Sequence, residues 1–480
     1  MSLKKLTRFK DIPVEAKAST AYALCSVLQN CLAFITLPIF ARLLTTEEFG
    51  DYTIYASWMA VLVIFVTLNL PYGSFSTAMV KFEDERDKYI ASVETICIVL
   101  ASIFLLIYFP FRGLWNRLFE LPTYLVLIMF MEMLGNAGIL FWSGKKMFEY
   151  KYKGVVWVTL LVSVVSPVLA YIMVINSDER GYARIVGYAV VKIVVGGIIY
   201  IANLVKGKNL FRKDFWVYAL SFNLPLVFYY LSQVIFNQSD RIMISHYIDK
   251  SAAGMYGAAY TLAIVLNFVL TAINNSYVPW FFGKLKEKKQ KDNQSISCMV
   301  ATLMAILLSG VIWLAPEIIS IMAGKKFLPA VGVVPPVAMS LLLLFYAQLF
   351  INVEFFYEKK GLLVIASIFS AGINIGLNAI FIPLCGYVAA GYTTLFSYLV
   401  FAIANYYAMK KVLKEKEVEN NAYNIKFLIL IFVVFCITSF IAGLLYDYYI
   451  IRYLVIAVVM ILMIANYKKI LKYVNVIRNM

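Results

Sequence analysis

The sequence predicts an all-α integral membrane protein with about fourteen transmembrane helices, grouped as two parallel six-helix lobes followed by two C-terminal helices. Three observations predict this fold class. They are the hydrophobic composition, the placement of basic residues in alternate gaps between apolar stretches, and an internal repeat at a spacing of 204 residues.

The composition is that of a chain covered mostly by lipid. Of its 480 residues, 62% are apolar and only 15% are charged, and the mean hydropathy is +0.80. A bilayer core takes roughly 20 helical residues per crossing, so fourteen crossings leave only short connections. We therefore expect no separate soluble domain.

The apolar stretches predict the position of each helix along the chain. Each stretch is long enough for one crossing, and a short polar gap separates it from the next. The predicted spans lie near residues 20–40, 52–74, 89–109, 122–143, 155–175, 183–204, 217–239, 255–276, 296–315, 335–357, 362–383, 387–409, 425–445 and 450–466.

The basic residues predict how these spans are oriented. Of 43 Lys and Arg, 32 fall in the first polar segment and in every second one after it, ten fall in the others, and Lys192 lies within a span. Short cytoplasmic loops carry an excess of Lys and Arg, so we expect both termini in the cytoplasm. The net charge of +16 then reflects membrane topology, and nucleic-acid binding is a poor explanation for it.

Short sequence matches indicate an internal repeat. Gly50-Asp51-Tyr52 and Gly254-Met255-Tyr256 open the second and eighth spans, and Gly187-Tyr188 and Gly391-Tyr392 lie early in the sixth and twelfth. An even number of spans per repeat keeps the two lobes parallel, with a substrate site expected between them near the midplane. The predicted domains are an N-terminal lobe at 1–213, a C-terminal lobe at 214–412 and two added helices at 413–480.

Three patches of sequence carry a resemblance to a known family. They are Pro38, Ala41–Leu44 and Glu48–Tyr52; Leu224, Pro225, Asp240, Arg241 and Gly254–Tyr256; and Asn374, Asn378, Pro383, Gly386, Ala389 and Ala390. From about residue 15 to 465, the chain resembles the polysaccharide transporter branch of the multidrug/oligosaccharidyl-lipid/polysaccharide (MOP) exporters, which includes the Wzx-type O-antigen flippases. Val388 stands where the family pattern has a Gly before the Ala pair.

The resemblance implies both a fold and a function. The fold is like that of multidrug and toxic-compound extrusion (MATE) transporters, with two six-helix bundles around a central cavity. The function is to turn an undecaprenyl-diphosphate-linked oligosaccharide from the inner to the outer leaflet of the bacterial cytoplasmic membrane by alternating access. The implied partners are this lipid-linked oligosaccharide, membrane lipids, and the polysaccharide polymerase and chain-length machinery.

Lys192 is the sharpest candidate for binding the diphosphate of such a substrate. A diphosphate cannot cross hydrocarbon without polar and cationic partners, and Lys192 lies nine residues into the sixth span. Arg184, Tyr188 and Lys192 follow one another at i, i+4 and i+8, so they share one helical face. The alternative is a structural ion pair between Lys192 and Glu132 of the fourth span, and the sequence leaves both open.

Two further arginines, Arg42 and Arg241, lie at the outer ends of the first and seventh spans. The repeat makes these spans equivalent helices of the two lobes, so both arginines are candidates for the diphosphate. The alternative is that each guanidinium extends to the phosphate headgroups of the membrane. For Asp240 beside Arg241, a local salt bridge is the favoured interpretation.

Uncharged amides are candidates for binding sugar hydroxyls in the cavity. Asn30 lies in the first span, and Asn374 and Asn378 lie one turn apart in the eleventh. The alternative for each amide is a hydrogen bond between helices, which is the commoner use of such residues in membranes.

Coupling to a proton or sodium gradient requires an ion-binding carboxylate. Glu132, Glu354 and Asp240 are the candidates, with Glu132 favoured for binding a proton. No nucleotide-binding GxxxxGK[ST] motif is present, so ATP hydrolysis is not expected. Six scattered cysteines and a single His, His246, predict neither a metal site nor another cofactor.

Two rival functions remain from the sequence. A MATE-type multidrug or cation antiporter would share the two-lobe fold, but that branch carries an acidic residue in its first span, and residues 20–40 contain none. A polysaccharide polymerase would place catalytic groups on a large outer loop, whereas the longest outer segment, near 316–334, carries Glu317 as its only acid. We therefore expect a transporter and not an enzyme.

Overall fold

A computed structural model describes residues 14–287, 290–359, 361–418 and 422–465, and these residues form helices and turns without a β-strand. The helices, in chain order, are α1 (Val14–Leu43), α2 (Thr46–Thr67), α3 (Phe75–Lys81), α4 (Arg86–Tyr108), α5 (Arg112–Phe119), α6 (Thr123–Phe148), α7 (Tyr152–Ile175), α8 (Arg180–Gly207), α9 (Lys213–Asn223), α10 (Val227–Tyr247), α11 (Lys250–Ala263), α12 (Asn267–Lys286), α13 (Gln290–Trp313), α14 (Ala315–Met322), α15 (Val334–Phe356), α16 (Gly361–Cys385), α17 (Val388–Glu415), α18 (Ile425–Leu444) and α19 (Tyr449–Ala465).

The predicted all-helical membrane fold is confirmed. Among the described residues, 13 helical segments are long and apolar enough to cross a membrane, and they correspond in order to the first thirteen predicted spans. The predicted fourteenth span corresponds to α19, whose described part has 17 residues. At 1.5 Å per residue this is about 25 Å, a little less than a bilayer core of about 30 Å.

The seventh and eighth spans each consist of two helices joined without a loop. Leu224–Leu226 forms a single 3-10 turn between α9 and α10, where Pro225 has no backbone N–H to continue an α-helix. Ile264–Leu266 forms the corresponding turn between α11 and α12. These junctions make the two spans longer than predicted, Lys213–Tyr247 and Lys250–Lys286.

The chain divides into two compact units, residues 1–234 and 235–480, and the division falls inside α10. In the first unit, α8 packs against α2, α4, α6 and α7. The core of this unit includes Phe215, Ala219 and Val227, so the first half of the seventh span belongs to it. In the second unit, α15 and α16 both pack against α17. The lobe boundaries expected from the sequence at residues 213 and 412 stay a prediction.

Polar caps explain where some of these helices begin. At the start of α2, the Thr45 hydroxyl accepts a hydrogen bond from the Glu48 backbone N–H, and the Glu48 carboxylate accepts one from the Thr45 N–H. This reciprocal pair satisfies backbone donors that the first helical turn leaves free. This cap begins α2 at Thr46, with only two residues between it and the end of α1 at Leu43.

Candidate functional site

The ion pair between Lys192 and Glu132 forms the centre of the polar region in the first unit. Lys192 of α8 places Nζ 2.7 Å from Oε1 of Glu132 on α6. The second carboxylate oxygen, Oε2, accepts a 2.8 Å hydrogen bond from the hydroxyl of Tyr55 on α2. The Glu132 side chain is 3% exposed, whereas that of Lys192 is 29% exposed. The ion pair is thus present, and the ammonium group still has an open side.

Small residues bring α6 and α8 close enough for this pair to form. Gly196 lies one turn beyond Lys192, and a Cβ added to it would come within 2.2 Å of the Gly135 carbonyl oxygen. A Cβ on Gly135 would in turn meet the Lys192 carbonyl oxygen at 2.6 Å. The absence of side chains at these positions therefore lets the two backbones touch, as is common between membrane helices.

Arg184 lies two turns before Lys192 on α8, inside a cage of aromatic rings. Its guanidinium carbon is 3.9 Å from the centroid of the Tyr52 ring and 4.7 Å from those of Phe40 and Phe49. Such cation–π contacts are worth about 2 kcal/mol each when water is excluded. The side chain is only 5% exposed, yet Nε and Nη1 have no hydrogen-bond partner among the described residues.

Tyr188 connects the two cations of this helix face. It lies one turn from Arg184 and one turn from Lys192, and its ring packs 5.7 Å from Phe40 and 5.6 Å from Tyr52, measured between centroids. The face predicted from the i, i+4, i+8 spacing therefore carries two cations and an aromatic side chain in one continuous row. Arg184 lies near the N-terminal end of α8, and Lys192 lies roughly 18 Å from its first residue, near the middle of the helix.

Asp240 is the centre of a buried polar network in the second unit. Its Oδ2 accepts hydrogen bonds from the hydroxyls of Tyr256, at 2.6 Å, and Thr394, at 2.7 Å. Its Oδ1 accepts a 2.6 Å hydrogen bond from the side-chain amide of Asn378. These donors come from α11, α16 and α17, while Asp240 itself is on α10. One carboxylate therefore links four helices. Its hydrogen-bond donors are Tyr256, Thr394 and Asn378, and not Arg241, which the sequence favoured as its partner.

Asn374 and Asn378 extend this network and are fully buried. The Asn374 amide oxygen accepts hydrogen bonds from Ser239, at 2.9 Å, and from the Asn378 amide, at 3.3 Å. The Asn374 amide nitrogen donates to Thr394 Oγ1 at 3.2 Å, and Thr393 donates to the Asn378 oxygen. Both amides connect helices here, which was the alternative to sugar binding, and their contact with substrate stays a prediction.

Arg241, next to Asp240 in the chain, turns to a different side of α10. Nη1 donates to the backbone oxygen of Asn237 and to Oε1 of Gln238, the latter at 2.9 Å. The guanidinium carbon lies 4.3 Å from the centroid of the Tyr260 ring. Successive residues on a helix point about 100° apart, which explains why Asp240 and Arg241 have separate partners.

The remaining predicted residues lie apart from these clusters. Arg42 is exposed in the last turn of α1. Asn30 is within α1, and its side chain lies outside the part of the chain that the structure describes. Glu354 of α15 is 1% exposed, and neither of its carboxylate oxygens has a hydrogen-bond partner among the described residues.

Sequence reasoning missed a further buried carboxyl group, Glu94 of α4. Its side chain has no exposed surface, and Oε1 accepts a 2.8 Å hydrogen bond from the amide of Asn203 on α8. Oε2 has no hydrogen-bond partner among the described residues. The available signal was an acidic residue near the beginning of the predicted third span, but the sequence did not distinguish it from the charged residues of the preceding loop.

Two tyrosines that the predicted repeat makes equivalent contact groups of opposite charge. Tyr52 lies on α2 and Tyr256 on α11, 204 residues apart in the chain. The ring of Tyr52 stacks under a cation, Arg184, whereas the hydroxyl of Tyr256 donates to an anion, Asp240. Each unit therefore buries one charged group against the repeated tyrosine, positive in the first unit and negative in the second.

Comparison with known proteins identifies relatives in polysaccharide biosynthesis. The profile of a family described as "Polysaccharide biosynthesis protein" matches residues 16–285. The chain is 25% identical over 346 residues to the succinoglycan biosynthesis transport protein ExoT of Rhizobium meliloti, covering 68% of this chain and 67% of that protein.

Two groups of solved structures share the fold. The lipid II flippase MurJ in an inward closed conformation matches with a TM-score of 0.67 and 16% identity, covering 94% of this chain and 99% of that one. An inward-facing multidrug resistance MATE family transporter of the MOP superfamily matches with a TM-score of 0.62 and 13% identity, covering 84% and 99%. At these identities the likeness shows the fold.

These findings confirm the family resemblance and the MATE/MOP-like fold expected from the sequence. The family is one of polysaccharide biosynthesis, and the fold is that of solved multi-pass membrane transporters. The family profile extends over more than half of the residues. The chain therefore belongs to the polysaccharide biosynthesis protein family.

Proposed function

We propose that the protein is a flippase for an undecaprenyl-diphosphate-linked oligosaccharide, moving it from the inner to the outer leaflet of the bacterial cytoplasmic membrane by alternating access, with both termini in the cytoplasm. The family supports a transporter of polysaccharide precursors. The observation that carries the choice of an anionic substrate is the pair of cations on one face of α8, Arg184 and Lys192. The polysaccharide polymerase and chain-length machinery would then act on the translocated product.

The surroundings of Arg184 suit it to bind an oxyanion of the substrate. It is buried against three aromatic rings, and two of its guanidinium nitrogens have no hydrogen-bond partner among the described residues. A buried N–H donor without an acceptor is unfavourable, and a phosphate oxygen would satisfy it with a charge-assisted hydrogen bond. The rings cover the guanidinium in this conformation, so substrate entry would displace at least one of them.

Lys192 is suited to exchange one anion for another. In the described conformation its charge is balanced by Glu132, which also accepts a hydrogen bond from Tyr55. We propose that a phosphate draws the ammonium group away through its open side, while Tyr55 keeps one hydrogen bond on Glu132. When the diphosphate leaves, the ion pair forms again, so the empty carrier does not hold an unpaired cation at mid-membrane depth.

The Asp240 network is our proposed site for a coupling ion. It offers carboxylate, amide and hydroxyl oxygens from α10, α16 and α17, and oxygen ligands are those that hard cations prefer. Rotation of the hydroxyls and amides would turn their oxygens toward a sodium ion, and protonation of Asp240 is the other form of the same proposal. Among the carboxylates expected from the sequence, Glu132 is held by Lys192, and Glu354 has no hydrogen-bonding partner in the described chain.

A deletion strain complemented with variants tests the proposed function. We would measure lipid-linked oligosaccharide accumulation, surface glycan and dye efflux in the same cells. Trapped precursor with normal efflux is the expected result of deletion, and Arg184→Gln is expected to reproduce it at normal membrane abundance. Arg117→Gln, which removes an exposed outer arginine, is the matched control. Lost efflux would favour a drug exporter, and translocated but unpolymerised units would favour a polymerase; either would overturn the proposal.

Transport in proteoliposomes tests the coupling site separately. Asp240→Asn keeps the size of the side chain and most of its hydrogen-bonding capacity but removes the charge. We expect transport by the wild-type protein to depend on an imposed sodium or proton gradient, and transport by the variant to lose that dependence. Gradient dependence that persists in Asp240→Asn would remove Asp240 from the coupling role.

A further inference from the structure

The buried carboxyl group of Glu94 is not used by the proposed substrate path or by the coupling site at Asp240. From the geometry we propose that Glu94, with Asn203, forms a proton-binding site near the inner end of the first unit. Proton binding by Glu94 can be measured without substrate and does not depend on the proposed function. Only the effect of this proton on transport rests on the proposed function.

The partners of Glu94 fit a neutral acid better than a carboxylate. The side chain is without exposed surface, and its one hydrogen bond comes from a neutral amide, Asn203. The free oxygen, Oε2, has no donor within reach in the described chain. A buried carboxylate normally has several donors or a cation, since its charge has lost the surrounding water. A proton bound to Oε2 removes that charge.

No described cation is bonded to Glu94 from the helices packed around it. α8 contributes Asn203 and Tyr200, and the Tyr200 hydroxyl donates to the Glu94 backbone oxygen at 2.5 Å. Cys97 is the titratable neighbour on α4. Several cations of the surrounding segments have other partners. Lys145 and Lys146 of α6 pair with Asp87 and Glu149, Arg212 of the segment before α9 pairs with Glu85, and Lys81 of α3 lies over the Tyr218 ring. The acids of α2, namely Glu47, Glu48 and Asp51, are at its opposite, outer end.

In this proposal the proton reaches Glu94 from the start of α4, which the proposed topology places on the cytoplasmic side. Asp87, at the start of α4, is partly exposed, and Glu94 follows it by seven residues, roughly 10 Å along the helix. The proton comes from bulk water there, forms an O–H bond at Oε2, and returns to water by the same route. No other reactant is needed.

Glu94 is also placed where its charge would affect a helix junction. Two residues earlier, Ser92 accepts hydrogen bonds from the Arg212 backbone N–H, at 3.2 Å, and from the Trp216 indole, at 3.0 Å. One turn from Asn203, a Cβ on Gly207 would meet the Asp87 carbonyl oxygen at 2.4 Å, so α4 and α8 touch there. Loss of the proton would leave a charge in this tight contact and weaken it. We infer that the protonation state of Glu94 controls how firmly the segment entering the seventh span is held.

Infrared spectroscopy of the purified full-length protein in lipid nanodiscs tests the site directly. We expect a pH titration to change the C=O stretching band of a protonated carboxyl group in the wild type, and Glu94→Gln to lose that component. Asn203→Leu removes the hydrogen bond and is expected to move the band to higher frequency. Glu47→Gln, at an exposed carboxylate, is the control. An unchanged band in both Glu94→Gln and Asn203→Leu would overturn the proposal.

The consequence for transport needs a second measurement. In proteoliposomes, Glu94→Gln is expected to retain transport but lose its dependence on internal pH. A pH profile in Glu94→Gln that matches the wild type would overturn the inferred control, even if the infrared band is present. Because the band requires no substrate, failure of the flippase proposal would be distinguishable from failure of this site. If Glu94→Gln does not fold, the band shift in Asn203→Leu still decides whether Glu94 binds a proton.

Discussion

Tyr55 donates a 2.8 Å hydrogen bond to the carboxylate oxygen of Glu132 that Lys192 does not occupy. Glu132 therefore keeps the hydrogen bond from the neutral Tyr55 hydroxyl on Oε2 when Lys192 leaves Oε1. A buried carboxylate that loses its only cation is strongly destabilised, so this second partner is what makes release of Lys192 physically reasonable. Lys192 can therefore have two roles, one as the ion-pair partner of Glu132 and one as a ligand of the substrate.

A double substitution is expected to distinguish these two roles. Lys192→Met leaves Glu132 buried without a cation, and it should abolish export for either reason. Lys192→Met with Glu132→Gln removes both charges, so stability should return. We expect export to stay absent in the double variant, measured as surface glycan at matched membrane abundance, with Lys153→Met as the exposed-lysine control. Restored export would show that Lys192 serves only to neutralise Glu132.

The close contact of α6 and α8 predicts a steep difference between neighbouring glycines. Gly196→Ala would place a Cβ within 2.2 Å of the Gly135 carbonyl oxygen, whereas a Cβ on Gly197 meets nothing within 4 Å. Overpacking of this kind costs about 1–3 kcal/mol. We expect a lower Tm for Gly196→Ala in detergent and an equal or higher Tm for Gly197→Ala, since Ala favours helices over Gly. Equal Tm values for the two variants would contradict the described contact.

The Asp240 network predicts that one phenol hydroxyl stabilises the second unit. Tyr256→Phe removes one of the two donors to Oδ2 and leaves a buried acceptor less satisfied. The cost of such a loss is about 1–3 kcal/mol, which should appear as a reduced Tm. Tyr392→Phe removes a hydroxyl from a tyrosine that is 54% exposed and should have little effect. A Tyr256→Phe variant as stable as the wild type would argue against the network.

The loop after α6 predicts a response of stability to acid. Partial burial raises the pKa of Glu149, but hydrogen bonds from Lys151 and Lys146 and the charge of Lys145 outweigh it and lower the pKa to about 2, from an ordinary value of 4.5. The unfolded chain thus binds a proton at a higher pH than the folded chain. Stability from this group is complete above pH 4.5 and is lost as the pH falls toward 2.

Thermal unfolding at several pH values checks the role of Glu149. Glu149→Gln should have a lower Tm than the wild type near neutral pH, and the difference should shrink between pH 4.5 and 2. Glu417→Gln, at an exposed acid in another polar segment between spans, controls for the general effect of removing a negative charge. A difference that stays constant over this range would show that the lysine cluster does not depress the pKa.

The aromatic cage predicts that Arg184 is not replaceable by another cation. Lysine keeps the charge but lacks the planar guanidinium that stacks on Tyr52 and forms two parallel hydrogen bonds with a phosphate. We expect Arg184→Lys to lose most of the export that the wild type supports while remaining in the membrane at normal abundance. Export equal to that of the wild type in Arg184→Lys would mean that charge alone is needed at this position.

The sequence by itself determined the class of protein, because a membrane constrains the length of each apolar stretch and the charge of each loop along the chain. A crossing requires about 20 apolar residues, and loops retained in the cytoplasm carry Lys and Arg, so composition and order predict the spans. The sequence also predicted that Arg184, Tyr188 and Lys192 share one face of a helix, since this depends only on the period of the α-helix, about 3.6 residues. The patches around Asp51, Asp240 and Asn374 were enough to indicate the family.

Only the tertiary structure decided which partners these residues have. Glu132 and Lys192 are 60 residues apart in the chain, and their closeness depends on the contact of Gly135 on α6 with Gly196 on α8. The separation of Asp240 from Arg241, and the burial of Glu94 against Asn203, depend on how each helix is rotated about its axis. Hydropathy contains little information on that rotation, because the surfaces of a membrane helix that meet lipid and those that meet another helix are both largely apolar.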